Sequence, residues 1–159
     1  MPGGVSLDAE AQAAPRRDVT VRIAAAAEDR AGALEVRRAV FVHEQGVPEE
    51  LEMDDLDADC IHLVALAGGR VIGAARLYEH NGIWHVGRVA VTPEWRKCSV
   101  GTRLMELAAK TAAERGARGL VLNAQIEVIP FYERLGYIAE GDPFLEAGIW
   151  HRSMRLDGP

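Results

Sequence analysis

The sequence predicts an α/β chain of the α+β kind: a mixed β-sheet carrying helices on its faces. Three observations lead there. Apolar residues alternate in several short segments and fall at helical spacing in others. Two tight-turn signals, Gly68-Gly69 and Asn81-Gly82, join three strand-like segments in succession. The order of elements, βα, then three strands, then αβαββ, interleaves both types along the chain.

"VTVRIA" (19–24) alternates and suits a first strand. From Asp29 to Glu44, Leu34, Val36, Val40 and Phe41 fall near helical spacing, with Asp29 as a capping residue. An acidic stretch follows as an irregular connection with room for one short helix. "HLVALA" (62–67) and "RVIGAARLY" (70–78) make a hairpin, and Asn81-Gly82 leads into "IWHVGRVAV" (83–91). A helix runs from about Val100 to Arg115 and is closed by Gly116. "GLVLNA" (119–124) reads as a buried strand, and "EVIPFYERLG" (127–136) as a short helix with Pro130 in its first turn. Tyr137 to Glu140 and Ile149 to Leu156 complete the strands. Residues 1–18 are small, polar and aperiodic, a mobile tail before a single domain over 19–159.

A length of 159 residues suits one domain with one core, and 48% hydrophobic with 26% charged residues is ordinary for a folded protein. No apolar run approaches the roughly 18 residues of a membrane span, and no secretory signal opens the chain. Cys60 and Cys98 lie far apart and outside any metal-ligand spacing, which points to reduced thiols, a cytoplasmic location and no metal. The net charge of −6 is local: eight acids and no Lys or Arg lie between Glu44 and Asp59, while the remainder holds 18 basic and 16 acidic residues. That balance argues against a nucleic-acid binder. The acidic stretch suits attraction of a cationic amine, or a solvated loop without a partner.

The most informative segment is "RVAVTPEWRKCSVGTRLM" (88–105), where a strand gives way to a helix through a basic, small-residue turn. A helix start presents free N–H groups and a partial positive charge, and small residues let backbone approach a phosphate. There is no G-x-x-x-x-G-K-[ST] loop and no G-x-G-x-x-G fingerprint.

"RVAV", Pro93, Arg96-x-x-Ser-x-Gly101 and the helix "TRLMELAAKTAAERG" resemble the acetyl-CoA signature of the GNAT superfamily of N-acetyltransferases, usually [RQ]-x-x-G-x-[GA]. "FYERLGY" (131–137) resembles that family's second hallmark, about thirty residues on. "VFVHEQGVP", "LNAQ" and "FLEAGIWHRSM" are similar to its bacterial ElaA-like or YjcF-like subgroup. The likeness covers about Val19 to Leu156. It implies a mostly antiparallel sheet of roughly six to seven strands with about four helices. One departure is Ser99 at the middle glycine; if φ is positive there, serine costs about 1 kcal/mol. Cys98 is either an oxidisable thiol beside Arg96 and Lys97 or a small residue filling the turn.

The resemblance implies acetyl-CoA as co-substrate, with its pantetheine along Val89, Ala90 and Val91. Its pyrophosphate would lie over Arg96, Lys97, Cys98, Ser99, Val100, Gly101 and Thr102, with Asn123 near the cofactor. Tyr132 falls where the family often carries the tyrosine that protonates the departing thiolate. His85 lies four residues before Val89, on one face with it by strand alternation, in a place where relatives carry a glutamate base. His62, Glu44 and His151 are weaker rivals. Glu44, Arg88, Gln125 and His151 are candidate acceptor contacts, with Arg88 alternatively paired to the acidic stretch. Trp84, Trp95 and Trp150 are pocket walls or packing. The reading is N-acetyl (acyl) transfer to a primary amine of a small molecule or peptide by direct attack. The alternatives are a non-catalytic acyl-CoA-binding module and, from a faint likeness in Arg38–Phe41 and "EMDDLD", an acyl-homoserine-lactone-synthase-like acyltransferase. In this fold, exposed final strands commonly form homodimers.

Overall fold

The computed structural model describes residues 18–159; the tail expected over 1–18 lies outside them apart from Asp18. β1 (Val19–Ile23) leads to α1 (Ala27–Arg37), which continues as a π-helical segment, Arg38–Glu44. α2 (Glu49–Glu52) and a 3₁₀ turn (Asp55–Asp59) occupy the acidic stretch. β2 (Ile61–Ala67), β3 (Arg70–His80) and β4 (Ile83–Val91) form an antiparallel meander. A 3₁₀ turn at Pro93–Trp95 precedes α3 (Val100–Glu114) and β5 (Gly119–Gln125). A further 3₁₀ turn (Ile126–Val128) and α4 (Ile129–Arg134) lead to β6 (Ile138–Glu146) and β7 (Ile149–Asp157).

The strands form one seven-stranded sheet in the order β1-β2-β3-β4-β5-β7-β6, antiparallel throughout except between β4 and β5. The expected mixed, mostly antiparallel sheet with four helices is the observed one. Among the described residues no helix is long and apolar enough to cross a membrane.

Strand alternation in β3 explains how both faces are covered. Gly73, Ala75 and Leu77 face α3, whose Val100, Leu104, Met105, Ala108 and Ala112 are buried against the sheet. Ala74 points to the other face, where Ala33 of α1 packs with Val64. Gly32 lets α1 come this close: a Cβ there would sit 2.5 Å from Val71 Cγ2. Asp29 is not the N-cap that the sequence suggests. It is the third residue of α1, and its carboxylate turns back to accept the N–H of Ala25 (2.9 Å) and Ala26 (3.3 Å). The hydrogen bonds from Arg22 hold that carboxyl well below the usual range.

Candidate active site

β4 and β5 pair only at Trp84↔Leu120 and His85↔Val121, after which they part. The strands leave Val86–Val91 with no partner on the β5 side, and the wedge between them opens a cleft of about 1050 Å³. That is at the upper end of small-molecule pockets, roughly 300–1,000 Å³, and large enough for an extended ligand.

A bulge re-aims the wall of this cleft. Ala74 pairs with Ala90 and Arg76 with Gly87, so Arg88 and Val89 together oppose Ala75, and Arg88 takes the left-handed φ of 51°. The extra residue reverses the alternation. Trp84 and Val86 share the α3-side core with Val89 and Val91, whereas Ala90 packs on Val36 and Val40 of the α1 side. His85 stacks on Tyr78, 4.9 Å between centroids and 7° between planes. His85 and Val89 therefore occupy opposite faces, contrary to the period-two expectation. The reason is the residue inserted between them.

Five of the eight acids in the acidic stretch, Glu44, Glu49, Glu52, Asp54 and Asp57, are paired with arginines, whereas Glu50, Asp55 and Asp59 are exposed. Buried Arg37 donates to Glu52 (2.7 Å) and Asp57 (2.8 Å), and Arg76 forks onto Asp54 (2.7 and 2.8 Å). Arg88 contacts Glu52 Oε1 (3.1 Å), Asp54 (3.2 Å) and the Leu51 carbonyl (3.2 Å). Arg38 pairs with Glu49, and Arg96 with Glu44. Fastening Arg88, the stretch holds the bulge, so its charge acts on the cleft through β4. Of the alternatives for Arg88, the intramolecular pairing is the one seen.

At the far end, α3 begins immediately after Ser99, whose φ of 65° is the left-handed value at which serine costs about 1 kcal/mol. Lys97 shares that conformation, φ 60°. The first helical bond runs from Arg103 N–H to Ser99 O (3.0 Å), so the N–H groups of Val100, Gly101 and Thr102 precede the helix ladder and are left for an anion. Lys97, Ser99, Val100, Gly101 and Thr102 line the cleft. Phe131 packs beside Gly101, its Cζ at ordinary contact distance, 3.4 Å, from where a Cβ would stand. Cys98, expected over the pyrophosphate, does not line the cleft: its side chain turns into the core, as a small residue filling the turn would. Arg96 bends away from the turn, donating Nε–H to Val91 O (2.9 Å) and its other nitrogens to Glu44 (2.8 and 2.7 Å).

Val89, Ala90, Val91, Asn123 and Tyr132 line the same cleft, as do His85, Glu44, Arg88, Gln125 and His151. Tyr132 is buried between Phe131 and Tyr137, and burial pushes its phenol up to about 12. Burial, then the charge of His80, lowers the pKa of His85. His62 lies away from the cleft walls, its Nε2 2.8 Å from the Asp57 carbonyl. Trp95 is a wall residue, Trp84 packs on the core and Trp150 is exposed.

Sequence reasoning missed two residues. Gln45 exchanges an amide hydrogen bond with Gln125 (2.8 Å), tying the π-helical segment to the end of β5. Glu146 accepts from Asn123 (3.4 Å) and lies 3.7 Å from His151. The segment "FLEAGIWHRSM" contained the signal, through the spacing of Glu146 and His151 either side of a turn.

An acetyltransferase (GNAT) domain profile matches residues 11–157. The chain is 40% identical to the uncharacterized N-acetyltransferase YjcF of Bacillus subtilis over 123 residues, 77% of this chain and 88% of YjcF. It is 30% identical to the protein ElaA of Escherichia coli, over 76% of this chain and 82% of ElaA. The crystal structure of an acyl-CoA N-acyltransferase from Pseudomonas aeruginosa superposes with a TM-score of 0.77 at 31% identity, covering 87% of this chain and 98% of that one. With the splayed β4 and β5, the bulge and the helix start on one cleft, these likenesses place the chain in the GNAT acetyltransferase family, in its ElaA/YjcF-like subgroup.

Proposed function

We propose that residues 19–159 form one cytoplasmic N-acyltransferase unit that moves an acetyl or related acyl group from acyl-CoA to a primary amine. The amine attacks directly, within a ternary complex. One observation carries the reading: a wedge between parted strands that runs onto a helix start with unspent N–H donors. The residues fit the donor. The edge of Val89–Val91 that β5 leaves unpaired, with the Val91 carbonyl taken by Arg96 Nε, suits an extended pantetheine arm, which pairs with backbone as an added strand does. Lys97 and the N–H groups of Val100, Gly101 and Thr102 suit its diphosphate.

Bound acyl-CoA supplies a thioester whose carbonyl carbon accepts the amine and whose sulfur leaves as a thiolate. The chain's own groups handle protons and orientation. With its pKa raised to about 12, the Tyr132 phenol stays protonated across the working range and remains a donor to the departing sulfur. A free thiol ionises near 8.5, so complete transfer from such a phenol is uphill, and Tyr132 acts chiefly by hydrogen bonding. The acceptor approaches on the α1 side, where the imidazoles of His85 and His151 both border the cleft.

The test couples two measurements: calorimetric titration with acetyl-CoA, and thiol release with a panel of primary amines. The expected outcome is saturable binding with amine-dependent release. Absence of binding overturns the reading; binding without turnover, unaltered in Tyr132→Phe, makes the chain a non-catalytic acyl-CoA-binding module.

A further inference from the structure

The β6–β7 hairpin brings a carboxylate and an imidazole to the acceptor side of the cleft. Its turn is Ala147-Gly148, both with positive φ (52° and 77°), the geometry of a two-residue hairpin loop. Glu146 pairs in register with Ile149 and Phe144 with His151, so Glu146, Phe144 and His151 share one face by strand alternation. Phe144 stacks on the His151 ring, 5.9 Å between centroids. Gln125 of β5 is the register partner on its other side. Glu146 is the one carboxylate within reach of the ring among the described residues.

The hydrogen bonds fix what each group offers. His151 Nδ1 lies 2.7 Å from the carbonyl of Ile149, which only accepts, so in the neutral ring Nδ1 bears the proton and Nε2 carries a lone pair. Nε2 is 3.7 Å from Glu146 Oε2. That gap is too long for a direct hydrogen bond, yet one nitrogen about 2.8 Å from each atom spans it. Asn123 donates to Glu146 Oε1 (3.4 Å) and accepts from Ser153 (3.3 Å), orienting the carboxylate from behind.

We propose that the acceptor's ammonium docks between Glu146 and His151, and that His151 Nε2 takes its proton. One N–H bond of the ammonium breaks, its electron pair stays on nitrogen as the nucleophile's lone pair, and an Nε2–H bond forms. The resulting imidazolium faces the Glu146 carboxylate. The substrate class is a primary alkylamine small enough to donate to both atoms at once. His85 is the poorer base. Its ring is stacked flat on Tyr78, burial disfavours its charged form, and among the described residues no carboxylate pairs with it.

This inference rests on the acyl-transfer reading, and the experiment separates the two. With ¹⁵N-labelled histidine, propylamine added to the CoA-saturated protein is expected to shift His151 Nε2 and leave His85 unmoved. The same titration without CoA reads the amine site alone, so failure of CoA binding overturns acyl transfer without touching this assignment. In turnover with acetyl-CoA and propylamine, Glu146→Gln is expected to raise KM by about 10-fold or more, the loss of a charged hydrogen bond. His151→Gln is expected to lower kcat by about 100-fold and to abolish the acidic limb of kcat/KM. His85→Gln keeps that limb. Both variants carry readouts that a loss of fold would not imitate, and Glu146 is half-exposed, so its substitution leaves the core intact. An amine shift at His85 instead of His151, no shift at either, an unchanged KM in Glu146→Gln, or an acidic limb lost with His85 overturns the proposal.

Discussion

The acidic stretch 44–59 and the turn 96–102 both border the cleft, and they use their polarity in opposite ways. In the stretch, Glu52, Asp54 and Asp57 are matched against the guanidinium groups of Arg37, Arg76 and Arg88. The carboxylates of that network are all matched, and within it Arg76 Nε alone is buried without a partner; the network's work is to hold the bulge of β4. In the turn, the first N–H groups of α3 have no intrahelical partner and Lys97 faces the cleft. Satisfied polarity builds the scaffold and unsatisfied polarity receives the ligand. Charge density read from sequence cannot distinguish them, because the difference lies in the partners.

Breaking the first side of that comparison should have the largest effect. Arg37→Met removes the buried central guanidinium of the network, leaving Glu52 with Arg88 and Asp57 with Arg76. Loss of a buried partner costs about 3–5 kcal/mol, and the surviving arginines put this one near 3. Urea unfolding measures it, and a loss under about 1 kcal/mol would mean the network is not what holds the stretch. On the ligand side, Tyr132→Phe keeps the aromatic packing against Phe131 and Tyr137 but removes the donor. It should lower kcat by about 100-fold, roughly 2.7 kcal/mol in the barrier, with acetyl-CoA affinity unchanged by calorimetry.

How much of this was legible follows from where each determinant lies. The meander β2–β4 was read from Gly68-Gly69 and Asn81-Gly82 because turn chemistry is local, and both pairs have the positive φ that such turns need. The anion-binding turn was legible for the same reason: strand end, small residues and helix start are contiguous. The bulge was not, since the extra residue exists only relative to β3. The ion network was hidden too, its partners standing 15 to 36 positions apart. Glu146 escaped because its hairpin turns on Ala147, a residue that does not advertise left-handed backbone, and β6 was expected to end at Glu140 when it runs to Glu146.

Ser99 sharpens the comparison from the ligand side. Its φ of 65° is a conformation that glycine adopts freely, and its side chain makes no capping hydrogen bond to α3. Ser99→Gly should therefore stabilise the fold by about 1 kcal/mol at most, part of the gain being returned as freedom in the unfolded chain. Thermal unfolding and acetyl-CoA titration of the same variant read both sides. A destabilised variant would mean that the hydroxyl makes a contact that offsets the strain.

The smallest effect tests the ion pair that joins the two segments. Glu44 grips Arg96 through both carboxylate oxygens, while Arg96 Nε occupies the carbonyl of Val91. Both side chains are part-exposed, so Glu44→Gln should change stability by less than about 1 kcal/mol. Its effect on binding has a definite sign. Glu44 competes with an incoming diphosphate for the same guanidinium, so releasing Arg96 should tighten acetyl-CoA by about fivefold or less, most clearly at low salt. The hydrogen bonds from Arg96 hold the Glu44 carboxyl below its ordinary value, so the clasp persists as pH falls into the carboxylate range and opens only beneath it. Weaker binding in Glu44→Gln would reverse the assignment, making Glu44 the residue that aims Arg96 at the ligand rather than the one that withholds it.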